Sequence, residues 1–188
     1  TDTSSANTTP TSGDWGGIFI RRDIDNADQS RFSYEEQGVF LDHISNVDMR
    51  YGGGDVIVHS VYRPVNPIEI SDGRPTISNN QISVSRNAAI AATPNSFLET
   101  NFHSPVYQEA SFTADYSRIG PDVHRNILVD NTLNGLFVRI DTFTGDDVER
   151  LEVSGRWNDD DIVHILKENL VIESTPGGPF LESIPPSL

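Results

Sequence analysis

The chain has 188 residues, no cysteine and a formal net charge of −15, with 28 acids against 13 bases. These numbers exclude a disulfide scaffold, thiolate metal sites and cysteine nucleophiles, and the single lysine, Lys167, argues against nucleic acid, whose phosphates need clustered Lys and Arg. No run of 18 apolar residues occurs, so no membrane span is expected.

Residues 1–13 are rich in Thr, Ser and Asn, with no apolar stretch of the kind a signal peptide needs, and read as a polar N-terminal linker. Order is expected over 14–175, starting at GDWGGIFI, where Trp15 is placed to pack the first level of structure. DIDNADQ at 23–29 alternates Asp23, Asp25 and Asp28 like half of a calcium loop, but no glutamate follows at the distal position, and a solvated loop is the plainer reading. YGGGD at 51–55 lacks the lysine and helix of a phosphate loop and is expected to be a corner turn.

From Ile68 onward the chain alternates short apolar steps with Asn, Asp, Gly or Pro. RPTISNNQISVSRNAAI at 74–90 is echoed by GPDVHRNILVDNTLNGL at 120–136, offset by 46. Pro75 meets Pro121, Ile77 meets Val123, Asn80 meets Asn126, Ile82 meets Leu128, Ala89 meets Gly135 and Ile90 meets Leu136. Ile68 and Ile70 also precede Ile90 and Ala92 by 22. Fixed-period similarity marks a repeat architecture. A rung of 22 residues with three short strands is expected, so the offset of 46 reads as two rungs. Stacked rungs bury one another's inward side chains and satisfy one another's backbone groups. Ala88, Ala89 and Gly135 are expected at tight corners, and the asparagines of one corner are expected to hydrogen-bond along the stack.

Residues 93–120 interrupt this pattern and are expected to project as one long loop. Among its aromatics, Phe102, Tyr107 and Tyr116 are the candidate ligand-binding residues, able to stack on sugar rings; the alternative is a loop folded back as a local cap. Asp159, Asp160 and Asp161, with Asp146 and Asp147 nearby, form the densest acidic run. Adjacent carboxylates repel, so holding them together favours a hard cation, and Ca2+ is the candidate cofactor. The alternative is a solvated loop, or a cap on a short helix beginning near Ile162, where Ile162, Ile165 and Leu166 stand at helical spacing. Leu170–Ile172 reads as a strand, and 176–188 as a Pro/Gly-rich tail. None of the five histidines forms a close ligand pair; His124 falls at the place of Ser78 and is expected to face outward. Trp157 is expected to pack the far end as Trp15 packs the near one.

GDWGGIFI, ISNVDMRYGGG, RPTISNNQIS and NTLNGLFVRI together resemble the right-handed parallel β-helix repeats of the pectate-lyase-like superfamily, and more narrowly those of large surface or secreted proteins of environmental bacteria. The resemblance spans residues 13 to about 175. It implies an all-β fold, a right-handed parallel β-helix (solenoid) of roughly six to eight rungs with the 93–120 segment projecting. It does not carry catalytic residues over. Polygalacturonase-like members use paired aspartates with Gly-His-Gly and Arg-Ile-Lys segments, whereas VRIDT at 138–142 has Asp141 where the lysine would stand, and Gly-His-Gly is missing. No residue matches the base of pectate-lyase-like members.

The function expected from sequence is a non-catalytic structural or adhesive module of a bacterial cell-surface or extracellular assembly. Its expected partners are neighbouring β-helix domains or further copies met end to end. The alternatives are a polysaccharide lyase or hydrolase, and a carbohydrate-binding module using the aromatic loop.

Overall fold

The computed structural model describes residues 9–21, 42–98, 120–140, 150–153, 155, 157 and 159–172. They are all-β: β1 (Ile18–Arg21), β2 (His43–Ser45), β3 (Asp48–Arg50), β4 (Asp55–Val58), β5 (Val61–Pro64), β6 (Ile68–Ser71), β7 (Thr76–Ser78), β8 (Gln81–Ser83), β9 (Ala88–Ala92), β10 (Asp122–His124), β11 (Ile127–Val129), β12 (Leu133–Val138) and β13 (His164–Leu166). The described residues hold no α-helix and a single 3-10 turn, Pro94–Phe97.

Three sheets are parallel throughout. The largest has the order β1-β6-β9-β12-β13, and two smaller ones run β2-β7-β10 and β3-β8-β11. The chain passes through β7, β8 and β9, then through β10, β11 and β12, and each strand of the second circuit pairs in parallel with its counterpart in the first. Ile77 faces Val123, Ile82 faces Leu128 and Ile90 faces Leu136, the partners that the offset of 46 brings together. Ile68 likewise faces Ile90.

One expectation is corrected here. The offset of 46 spans one circuit, not two, because β7 and β10 are direct neighbours. The shortest circuit, Ile68 to Ile90, takes 22 residues. Ile44 to Ile77 takes 33, and the excess is the β4–β5 hairpin inserted between β3 and β6. Ile90 to Leu136 takes 46, and the excess lies between β9 and β10. Insertions at corners leave the strand register untouched, and lengthening a loop costs little entropy. The deepest sheet holds five strands among the described residues, fewer than the six to eight levels expected.

Inward side chains form one cluster: Met49, Ile68, Ile70, Ile77, Ile82, Ile90, Val123, Leu136 and Val138 are buried, and Trp15 and Trp157 pack against them from opposite ends of the described chain. Each such side chain contributes roughly 1.5–3 kcal/mol when fully buried. The corners recur in register. Asn46, Asn79 and Arg125 have φ of 59°, 56° and 55°, and Tyr51, Val84 and Asp130 have 64°, 55° and 56°. The tri-glycine at 52–54 is a corner, as expected: Gly54 donates to Trp15 O at 2.8 Å, and a Cβ on it would meet Gly13 O at 2.0 Å.

Other expectations change as well. His164–Leu166 is a strand, not part of a helix, because the free edge of β12 offers backbone partners that outweigh a short helical pattern. The expected strand at 170–172 is reduced to an isolated bridge between Val171 and Arg150. Ala88, Ala89 and Gly135 lie inside β9 and β12, not at corners; a Cβ on Gly135 would sit 2.6 Å from Val163 O and block the approach of β13. The segment after β9 begins by folding inward, with Phe97 only 1% exposed.

Candidate functional site

On the outer face of the largest sheet, Phe19, Glu69, Ala91 and Phe137 stand in register on four successive strands. Glu69 points away from the apolar interior yet is only 6% exposed. One carboxylate oxygen accepts from the Arg139 guanidinium. The other accepts from the backbone N–H of Asn66 at 3.3 Å and from its side-chain amide at 3.5 Å. The pair bridges β9, where Ala91 supplies only a methyl group on this face and leaves room for the contact.

The β4–β5 hairpin stands over one side of this face. Its two-residue turn, His59–Ser60, has positive φ at both positions, which matches the twist of a tight hairpin. Val56, Val58 and Arg63 line a trough of about 830 Å³ between the hairpin and the sheet. Phe19 and Phe137 flank its floor, with Arg21, Arg139 and Glu69. The Arg21 guanidinium lies 5.4 Å from the Phe19 ring centroid, and Lys167 Nζ lies 5.7 Å from that of Phe137. The trough therefore gathers three arginines, with Glu69 and Glu168, in a chain whose net charge is −15. Aromatic faces beside guanidinium groups are suited to holding a polyhydroxylated or anionic ligand.

Within the acidic run, Asp161 caps a corner of the stack. At the first corner the backbone N–H of Asn46 donates to Ser78 O at 3.3 Å, and that of Asn79 to His124 O at 3.3 Å. At the next level the N–H of Arg125 donates to Asp161 Oδ2 at 2.7 Å. A carboxylate thus stands where the next strand's carbonyl would be. Asp160 is exposed, Asp159 is half-buried, and Asp146 and Asp147 lie outside the described residues. Among the described residues no three His, Asp or Glu converge in a way that could hold a metal ion. Phe102, Tyr107 and Tyr116 also lie outside the described residues. His124 pairs with Asp122, Nδ1 to Oδ1, at 2.6 Å, beside a small pocket of about 200 Å³ that it shares with Asp161.

No family model matches this chain, and neither a curated protein nor a solved structure is similar to it.

No residue of the trough stands out as a site in the sequence; Phe19, Phe137 and Arg139 appear there only as parts of GDWGGIFI, NTLNGLFVRI and VRIDT. The signal was present in the offsets. A separation of 22 places Glu69 beside Ala91, and 46 places Ala91 beside Phe137.

Proposed function

We propose that the circuits close into a right-handed parallel β-helix, and that this chain is a non-catalytic adhesive or structural module of a bacterial cell-surface or extracellular assembly. The hand follows from the strong preference of parallel crossovers. The observation that carries this reading is the stacked corner. Asn80 hydrogen-bonds both the level before it and the level after it, as a spacer that must stay rigid along its length requires. End-to-end contact with a neighbouring β-helix domain or a second copy would use the strand edges of β3 and β11. Met49, the inward residue of β3, is 6% exposed, and Leu128, the inward residue of β11, is half-buried. Light scattering across a wide concentration range tests the association: growth of head-to-tail oligomers supports it, and a monomer at every concentration removes it.

A second reading is favoured by the trough. Its aromatic flanks and arginines fit a carbohydrate chain laid along the stacking direction, and Glu69, engaged through both oxygens, positions Arg139 instead of transferring protons. Titration calorimetry with neutral and uronate oligosaccharides tests it. Binding that Phe137→Ala weakens at least about tenfold supports the reading, since stacking of this kind contributes about 1.4 kcal/mol or more. No binding by either class ends it.

A further inference from the structure

His164, in β13, sits in an aromatic cluster at the edge of the stack. Its ring stacks on Trp157, with centroids 5.7 Å apart and planes 14° apart, and lies 5.6 Å from Phe97 at 59°. Phe97 and Trp157 are themselves 5.0 Å apart. The Nε2 atom is buried and has no hydrogen-bond partner. Burial alone holds the imidazole below its ordinary titration range. Among the described residues, no element packed against the ring brings a charge to it. The 3-10 turn offers Phe97, the 157 position offers Trp157, and β12 offers Leu136 in register with His164. Charged groups on the neighbouring strands and loop have partners elsewhere: Asp161 the N–H of Arg125, Lys167 the face of Phe137, and Arg139 the carboxylate of Glu69.

Around this cluster β13 is a three-residue edge strand, paired with β12 over Leu136–Val138, with Leu136 N–H donating to Val163 O at 2.9 Å. The described part of 150–172 is tied further by the bridges Leu98 to Gly155 and Arg150 to Val171, by Leu151 N–H to Val171 O at 2.9 Å, by Glu152 N–H to Asn95 Oδ1 at 3.0 Å and by Asp161 on Arg125. A short strand at the edge of a sheet, with no further strand on its outer side among the described residues, opens at a fraction of the global stability.

We propose that His164 is an acid-sensitive latch. Neutral, it holds β13 and Trp157 against the stack; protonated, it leaves the aromatic cluster for water and releases them, uncovering Phe97 and the edge of β12. The sign follows from burial. The folded chain binds the imidazole proton less tightly than the unfolded chain, so the contribution is fully present above the ordinary histidine range near pH 6.5 and is lost as pH falls through it. Two other histidines, His43 and His59, are exposed, and His124 has Asp122 as partner, so among the described residues this behaviour belongs to His164.

The test uses the whole chain labelled with 5-fluorotryptophan, which gives one fluorine resonance each for Trp15 and Trp157. Between about pH 8 and about pH 5, the Trp157 resonance should move and the amides of β13 should lose protection from exchange, while Trp15 stays still. The melting temperature should fall by at least about 2 °C. His164→Phe should flatten all three responses. An immobile Trp157 resonance in the native chain, or an unchanged pH response in His164→Phe, overturns the latch. If His164→Phe does not fold, proton resonances of the histidine rings decide the matter in the native chain: one ring must titrate with the same midpoint as the Trp157 resonance, and its absence overturns the proposal.

Discussion

The side-chain amide of Asn80 donates to the side-chain oxygen of Asn126 at 3.0 Å, joining residues 46 positions apart at equivalent corners of adjacent circuits. The same oxygen accepts the backbone N–H of Asn80 at 3.0 Å, and the Asn126 amide donates to Ile77 O at 2.7 Å. In the other direction, Asn80 accepts from Val47 N–H at 3.0 Å and donates to Ile44 O at 2.8 Å. Asparagine is the residue this corner needs, since one short side chain offers both a donor and an acceptor.

Asn80→Ala is therefore expected to destabilise well beyond the loss of one contact. It strands Val47 N–H and removes the amide donor from Ile44 C=O and from the Asn126 oxygen, which keeps only the backbone N–H of residue 80. A loss of about 2 kcal/mol is expected, because each buried group left unpaired costs about 1–3 kcal/mol and some are reached by water. Thermal unfolding should show a fall of about 4–8 °C. A change below about 1 °C would mean that the corner amides do not hold the stack together.

Val84 is the corner residue whose side chain suits its backbone least. Its φ of 55° lies in the left-handed region, where a β-branched side chain is strained and asparagine is tolerated. Asn46 and Asn79 hold the same conformation at the neighbouring corner. Val84→Asn is expected to raise stability by about 1 kcal/mol, seen as a melting temperature about 2–4 °C higher. A lower melting temperature would show that the half-buried isopropyl group matters more than the strain.

The partner strands were legible in the sequence because inward positions must repeat. Isoleucines recur at the spacing that stacking imposes, and asparagines recur where the chain turns. The length of the circuit was misread for a physical reason. Stacking constrains only the strands, so the corner after β9 and the corner holding the β4–β5 hairpin can lengthen without disturbing any register. An offset near twice 22 then imitates two rungs. The hairpin itself was hidden by its turn, His59–Ser60, which lacks the Asn-Gly signal that usually marks two positive φ values. The trough followed the hairpin into obscurity: Glu69 reads as an ordinary solvated acid until Arg139 is brought across β9 to meet it.

Asp161 separates two accounts of the acidic run. As an acceptor for Arg125 N–H it needs only an oxygen, so Asp161→Asn should melt within about 1 °C of the native chain and Asp161→Ala about 2–4 °C lower. Neither value should move when a chelator is added. As a calcium ligand it would need its charge, so Asn and Ala would be equally damaging and millimolar calcium would raise the native melting temperature. The melts of three proteins, each with calcium and with chelator, decide between a corner cap and a metal site.

The hairpin is expected to be dispensable for folding and essential for binding. Gly54 and Val65, on either side of it, already meet through a hydrogen bond of 3.4 Å from Val65 N–H to Gly54 O. The shortest circuit, Ile68 to Ile90, closes in 22 residues without any such insertion. Ile57 and Tyr62 are 64% and 70% exposed, so their loss removes little core. Replacing Asp55–Pro64 by two glycines should therefore leave the circular dichroism spectrum of a β-protein and a cooperative melt. It should also remove one wall of the trough, with Val56, Val58 and Arg63, and so abolish oligosaccharide binding measured by calorimetry. A variant that folds and still binds with native affinity would place the ligand site elsewhere on the stack. A variant that fails to fold would show that the hairpin is part of the corner's structure and not an addition to it.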